Sequence, residues 1–196
     1  MPSDPRQPPD RPAAAAARLR RLASSDLTDA EVRAIRRLMT DAFGDDEDER
    51  FEDADWEHAL GGVHVIVAID DAIVAHAAVV ERELRVAGLP VRTGYVEAVA
   101  TAPDCHGEGL GTMVMREIGA IIERDFELGA LGTGSHHFYE RLGWRTWQGP
   151  AFVRRSDGDR RTPDEDGYIM VLRTSRTPAI DLAAPISCDW RPGDVW

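Results

Sequence analysis

The chain has 196 residues and a net charge of −12, with 35 acidic side chains against 23 basic ones, all of them Arg. That length suits one domain with a sizeable core, and the charge argues against nucleic acid as a partner while suiting a cationic ligand. Lys is absent, which removes a catalytic Lys and a Gly-Lys-Ser/Thr phosphate loop, and the two cysteines, Cys105 and Cys188, are too few for a metal quartet and read as unpaired thiols.

Residues 1–17 read as a disordered tail, rich in Pro and Asp and then in Ala. It resembles neither a signal peptide nor a membrane span, and the apolar runs elsewhere are strand-sized. The sequence thus predicts a soluble cytoplasmic protein with no membrane partner. Residues 13–23 pull two ways: the Ala run favours a helix, whereas ARLRRLA alternates like an edge strand. Residues 28–43 predict a helix, opened by a Thr28–Glu31 capping box and striped with Val32, Ile35, Met39 and Phe43. The acidic run from Asp45 and Asp46 to Glu49 reads first as a solvated loop, with a rim for a polyamine as the functional alternative. Asp55-Trp56-Glu57-His58 predicts a short helix stopped at Gly61-Gly62.

Residues 63–69 and 72–84 predict a hairpin across Asp70-Asp71, with His76 as a satisfied core residue. Gly88-Leu89-Pro90 signals a turn. Residues 94–101 form a central strand that carries one carboxylate, Glu97, and ends before Pro103. A glycine-rich turn, His106-Gly107-Glu108-Gly109-Leu110-Gly111, then opens a helix over 109–125, with Val114, Ile118, Ile121 and Ile122 on one face. Further on, residues 128–132 predict a strand, 135–142 a helix, 144–147 a strand, 154–166 a polar stretch with a turn at Asp157-Gly158 and a loop over 162–167, and 168–172 a strand. His136 and His137 point in different directions on their helix, and no metal site is expected. The ending, with Trp190 and Trp196 beside Asp189 and Asp194, is unlike a frayed terminus and predicts a docked tail. This order gives an α/β fold, a single mixed central sheet with helices on both faces.

A strand, a glycine-rich turn and a helix start make an anion site, because backbone N–H groups converge where the helix dipole is positive. A dinucleotide fold expects that turn in its first βα unit with an acid after it. Here the turn comes midway and Glu97 precedes it. The Arg/Gln-x-x-Gly-x-Gly/Ala turn that receives the pyrophosphate of an acyl-coenzyme A fits better, with His106, Gly109 and Gly111 in its register.

Together with Phe138-Tyr139-Glu140-Arg141-Leu142-Gly143-Trp144, this pattern resembles the GCN5-related N-acetyltransferase superfamily. Asp55-Trp56-Glu57-His58, Leu60-Gly61-Gly62, Ala75-His76-Ala77-Ala78-Val79, Gly94-Tyr95-Val96-Glu97, Thr162-Pro163-Asp164 and the closing Cys188-Asp189-Trp190-Arg191 and Gly193-Asp194-Val195-Trp196 further resemble the aminoglycoside 2′-N-acetyltransferases of actinobacteria, over residues 18–196. The resemblance implies a first strand within 13–23 and a homodimer. It implies direct transfer, in a ternary complex, of an acetyl group from acetyl-coenzyme A to the 2′-amino group of aminoglycoside antibiotics, without metal, conferring resistance.

On that resemblance Glu97 is the candidate base and Tyr139 the acid that protonates the departing thiolate. Val99, Ala100 and Thr101 line the pantetheine arm, while His106, Gly107, Glu108, Gly109, Leu110, Gly111 and Thr112 hold the pyrophosphate. His106 stands where the superfamily usually has Arg or Gln, which shifts that task toward backbone amides. Asp45, Asp46, Asp55, Glu97, Ala98, Gly132, Asp164, Glu165, Asp194 and Trp196 are the candidate substrate contacts. Two other functions suit the same sequence: an N-acetyltransferase for another amino-sugar, a peptide N-terminus or a cell-wall amine, and a non-catalytic acyl-coenzyme A sensor.

Overall fold

The computed structural model describes residues 17–44 and 51–196. Asp45, Asp46 and nearly all of the predicted tail lie outside the described residues. In chain order the elements are β1 (Arg18–Ala23), α1 (Asp29–Phe43), α2 (Asp53–His58), β2 (Val63–Ile69), β3 (Ala72–Val86), β4 (Leu89–Thr101), α3 (Leu110–Asp125), β5 (Leu128–Gly132), α4 (His136–Glu140), β6 (Arg145–Thr146), β7 (Ala151–Arg155), β8 (Gly158–Arg161), β9 (Ile169–Arg173) and β10 (Ile186–Asp189).

All ten strands join one sheet. Its main path runs β6–β9–β5–β4–β3–β10–β7–β8, and β2 also pairs with β3 and carries β1 at its far edge. The alternation in RLRRLA prevails over the Ala run before it, because β1 pairs antiparallel with β2 along its whole length. Its two leucines serve opposite faces: Leu19 packs against the α3 side and Leu22 against the α1 side. Ion pairs from Arg20 to Glu31 and from Arg21 to Glu117 tie this edge to α1 and α3.

The helices cover the two faces of the sheet. α1 starts with the reciprocal Thr28–Glu31 capping box and buries Ile35, Leu38 and Met39 against Ile66, Ala78 and Ala100. On the other face α3 buries Val114, Met115, Ile118, Ile121 and Ile122 against Val65, Ala75, Ala77 and Val79. Its last turn lies so close to β4 that a Cβ on Gly94 would come within 2.7 Å of the Phe126 ring. Fully burying a side chain such as Ile118 or Ile122 stabilises the fold by about 1.5–3 kcal/mol.

Three strand assignments differ from the sequence reading. The polar residues 154–161 belong to a β7–β8 hairpin that turns at Ser156 and Asp157, one residue before the expected turn, whereas 162–167 joins no strand, as expected. β8 is exposed at every position, so it offers no alternation to read. β4 starts at Leu89, and the turn before it is Ala87-Gly88, both at positive φ (50° and 82°). Finally, Ile186–Asp189 becomes β10, parallel to β7 and antiparallel to the end of β3.

Residues 190–196 fold back over the sheet and are held there by Arg82. This buried guanidinium donates to the Asp189 carboxylate and carbonyl at 3.0 and 2.9 Å, and to the Val195 carbonyl at 2.9 Å. The Cys188 thiol, which burial pushes up to about 11, donates to the same Val195 carbonyl at 3.2 Å. Trp196 is buried, with its Nε1 donating to Thr162 Oγ1 at 3.2 Å.

Candidate active site

The site begins with a wedge in the sheet. Thr93, Gly94 and Tyr95 of β4 face Leu128, Gly129 and Ala130 of β5, and their pairing stops there. On its other side β4 stays on β3, but the register shifts between His76 and Ala78. Two residues of β4, Ala98 and Val99, therefore oppose Ala77 alone, a β-bulge that bends the strand. Ala98 sits at φ 51°, which costs about 1–2 kcal/mol for a residue with a Cβ.

A cleft of 590 Å³ opens along this wedge. Val99, Ala100, Thr101, His106, Gly107, Gly109, Leu110, Gly111 and Thr112 line it, facing Thr133, Ser135, Phe138, Tyr139 and Arg141. Glu108 is the one predicted coenzyme contact that does not line it, because its amide belongs to a turn and donates to the Cys105 carbonyl. Gly109 caps α3 at φ 82°, and no side chain caps the helix. With no side-chain acceptor at the N-cap, the first N–H groups of α3 are left for an anion, which gains from them and from the helix dipole. A Cβ on Gly109 would meet nothing within 4 Å, so conformation rather than space calls for glycine there. The His106 ring turns back and donates from Nε2 to the Thr101 carbonyl at 2.9 Å, bracing the end of β4. These residues fit a diphosphate held by backbone amides with Arg141 nearby.

A second cleft, of 800 Å³, meets the first at Phe43, Val99, Thr133, Ser135 and Tyr139. Of the predicted substrate contacts, Asp55, Glu97, Ala98, Gly132, Asp164, Glu165, Asp194 and Trp196 all line it. Asp55 also serves the fold, accepting the Glu52 N–H at the start of α2. Burial raises the pKa of Glu165, and the charges of Asp194 and Asp164 raise it further. Three like charges held together in this way favour a cation between them.

Glu97 lines the second cleft. Arg191 donates from Nη1 to Glu97 Oε1 at 2.6 Å, and both side chains are largely buried. Burial raises the Glu97 pKa above the ordinary carboxylate value, while the Arg191 charge and hydrogen bond pull it down. Nothing in the sequence marks Arg191 as its partner. His58, also unassigned by sequence, donates from Nε2 to the Pro192 carbonyl at 2.8 Å and so holds the closing segment over the cleft.

Tyr95, Tyr139 and Tyr168 add phenols to the walls. Burial pushes the Tyr139 hydroxyl up to about 12, so it stays protonated at neutral pH. Tyr95 lies beneath two guanidinium groups, Arg82 at 4.7 Å and Arg191 at 5.5 Å from its ring centre. Its buried hydroxyl has no hydrogen-bond partner among the described residues and belongs to the lining of the second cleft.

Residues 24–147 match the acetyltransferase (GNAT) domain family. The chain belongs to the GNAT acetyltransferases. Among GNAT relatives, an aminoglycoside 2′-N-acetyltransferase of Mycolicibacterium fortuitum is 43% identical over 178 residues, covering 88% of this chain and 89% of the relative. A GNAT family N-acetyltransferase from Escherichia coli, solved in complex with CoA, superposes with a TM-score of 0.59 at 14% identity, over 88% of this chain and 89% of that one. A GCN5-related N-acetyltransferase from Kribbella flavida superposes at a TM-score of 0.56 and 21% identity, over 71% of this chain but only 36% of its own length. At such identities the two solved structures speak for the GNAT fold alone. Among the described residues, no helix is long and apolar enough to cross a membrane.

Proposed function

We propose that this GNAT enzyme transfers an acetyl group from acetyl-coenzyme A directly to the 2′-amino group of aminoglycosides while both substrates are bound. One observation carries the reading. A cleft walled by Asp55, Glu97, Asp164, Glu165 and Asp194 opens, at Val99 and Tyr139, into the cleft at the start of α3. The acidic cleft suits a polycationic sugar, and the cleft at the start of α3 suits the diphosphate of a coenzyme. The 2′-amino position rests on the likeness to the Mycolicibacterium enzyme.

When bound, acetyl-coenzyme A supplies the acetyl group as a reactive thioester. The α3 N-terminal amides and Arg141 would hold its diphosphate. The main chain of Val99, Ala100 and Thr101 would hold its arm, and one amide there would donate to the oxygen that becomes anionic. Glu97 takes the proton of the attacking amine through a water, at a carboxylate made more basic by burial. Tyr139, protonated at neutral pH, returns a proton to the departing thiolate. Acidic side chains around the second cleft orient the drug through its ammonium groups. Acetylating that amine removes one of the drug's positive charges, and resistance follows.

Thiol release measured over a panel of aminoglycosides tests this reading. Turnover confined to members with a 2′-amino group is expected. Equal rates with 2′-hydroxy members would overturn the regiochemistry, and turnover confined to other amines would overturn the substrate class.

A further inference from the structure

A buried hydrogen-bond chain runs from the surface to the bulge in β4, through residues that the chemistry above leaves unused. Ser24 Oγ lies 2.9 Å from His64 Nε2, His64 Nδ1 lies 2.9 Å from His76 Nε2, and His76 Nδ1 lies 2.7 Å from the Ala98 carbonyl oxygen. Both imidazoles are fully buried, on neighbouring strands β2 and β3. The Trp56 ring packs at a tilt of 41° against the outer one, with centroids 5.7 Å apart.

Only one assignment of protons satisfies these three links; it gives the Ser24 hydroxyl proton to His64 Nε2 at 2.9 Å rather than to the Gly62 carbonyl at 3.3 Å. A carbonyl oxygen can only accept, so His76 donates from Nδ1. Burial lowers the two imidazoles to about 3 (His76) and about 4 (His64), so both are neutral. A neutral imidazole protonated at Nδ1 accepts at Nε2. His64 must therefore donate from its own Nδ1 and accept at Nε2, where the Ser24 hydroxyl donates. Ser24 Oγ in turn accepts the Gly61 N–H at 2.9 Å. The chain has a fixed direction and ends on a carbonyl, so it is not a route for a proton into the site.

Its effect lies in the peptide that it ends on. In a trans peptide the C=O and the following N–H point in opposite directions, and no peptide among the described residues is cis. Holding the Ala98 carbonyl toward His76 therefore holds the Val99 N–H away from β3, on the side where Val99 lines both clefts. Ala98 does not take φ 51° by preference, so the hydrogen bond from His76 compensates for that strain.

We propose that His76, oriented by His64 and Ser24, is a positioning residue for acetyl transfer: it fixes the Ala98–Val99 peptide so that the Val99 amide donates to the thioester oxygen. This inference rests on the function proposed above, and the experiments below separate the two.

The first measurement needs no variant. Nitrogen-15 NMR of the histidines in the full chain should find His64 and His76 neutral and protonated at Nδ1, and a His76 protonated at Nε2 overturns the proposal. The second compares His76→Phe, which removes the donor, with His76→Asn, which keeps an N–H near the Nδ1 position. His76→Phe should lower kcat by about 10–100-fold, somewhat less than the loss of an oxyanion donor altogether, with KM for both substrates within about twofold. His76→Asn should recover most of that loss. Equal loss in both variants, or a change confined to KM, overturns the proposal. Ser24→Ala, at the accessible end of the chain, covers a His76→Phe that fails to fold. It should lower kcat by about threefold as His64 loses its fixed tautomer, and an unchanged kcat overturns the proposal. Absence of turnover with every amine would remove the proposed function and leave the tautomer result standing, whereas Nε2-protonated His76 in an active enzyme removes the positioning role alone.

Discussion

Arg191 donates to the Glu97 carboxylate at 2.6 Å, joining residues 94 positions apart across the second cleft. The pair sets the protonation of the proposed base. Burial raises the Glu97 pKa and Arg191 lowers it. Activity that needs the carboxylate is lost as pH falls through that pKa. Arg191→Ala removes a lowering influence, so the acidic limb of the kcat/KM profile should move to higher pH. Glu97→Gln should erase the limb and lower kcat by about 10²–10⁴-fold. A limb that stays in place in both variants assigns the base elsewhere.

Tyr139 presents a phenol that keeps its proton until about pH 12. Tyr139→Phe preserves the ring, which packs edge-on against Phe138 and Trp144, and removes only the acid. It should lower kcat by about 10²-fold with little change in drug affinity by calorimetry. An unaltered kcat would remove the acid role.

Asp164, Glu165 and Asp194 repel one another, and Glu165 is harder to ionise for it. A polycation relieves that repulsion. Glu165→Gln should therefore weaken aminoglycoside binding by about tenfold and flatten its dependence on ionic strength. In the unaltered enzyme, affinity should fall as pH drops through the raised Glu165 pKa. Coenzyme affinity serves as the control and should not respond.

The parts of the site that follow from local chemistry were legible in the sequence. Glycines at 107, 109 and 111 after an apolar strand predict a glycine-rich turn into a helix, and α3 starts there with no capping side chain. The capping box of α1 could be read directly. What escaped the sequence depends on distant partners. Arg191 meets Glu97 only because β10 inserts beside β3 and returns the closing segment over the sheet. His76 reads correctly as a satisfied core residue, but that its partners are His64 and a bulged carbonyl follows from a register shift that no periodicity records. β8 left no trace because an exposed edge strand places no constraint on its side chains.

The capping box makes a prediction about stability. Thr28→Ala should cost about 1 kcal/mol in chemical denaturation, because the Glu31 N–H loses its acceptor. The backbone N–H of Thr28, then Arg20, hold the Glu31 pKa down from the ordinary 4.5 to about 2. A carboxylate depressed on folding stabilises fully above its unfolded pKa, so this contribution is present above about pH 4.5 and lost as pH falls toward about 2. Glu31→Gln should flatten the stability profile within that window, and an unchanged slope there would contradict the linkage.

Where β4 and β5 part after Tyr95 and Ala130, the sheet forgoes part of its own ladder. A guest that lies there and pairs with the bared main chain acts as a surrogate strand, closing a seam that the polypeptide leaves open. Occupancy and cohesion thereby become one quantity: whatever grips the parted strands also resists their unravelling, and the protein is most robust while it holds its substrate.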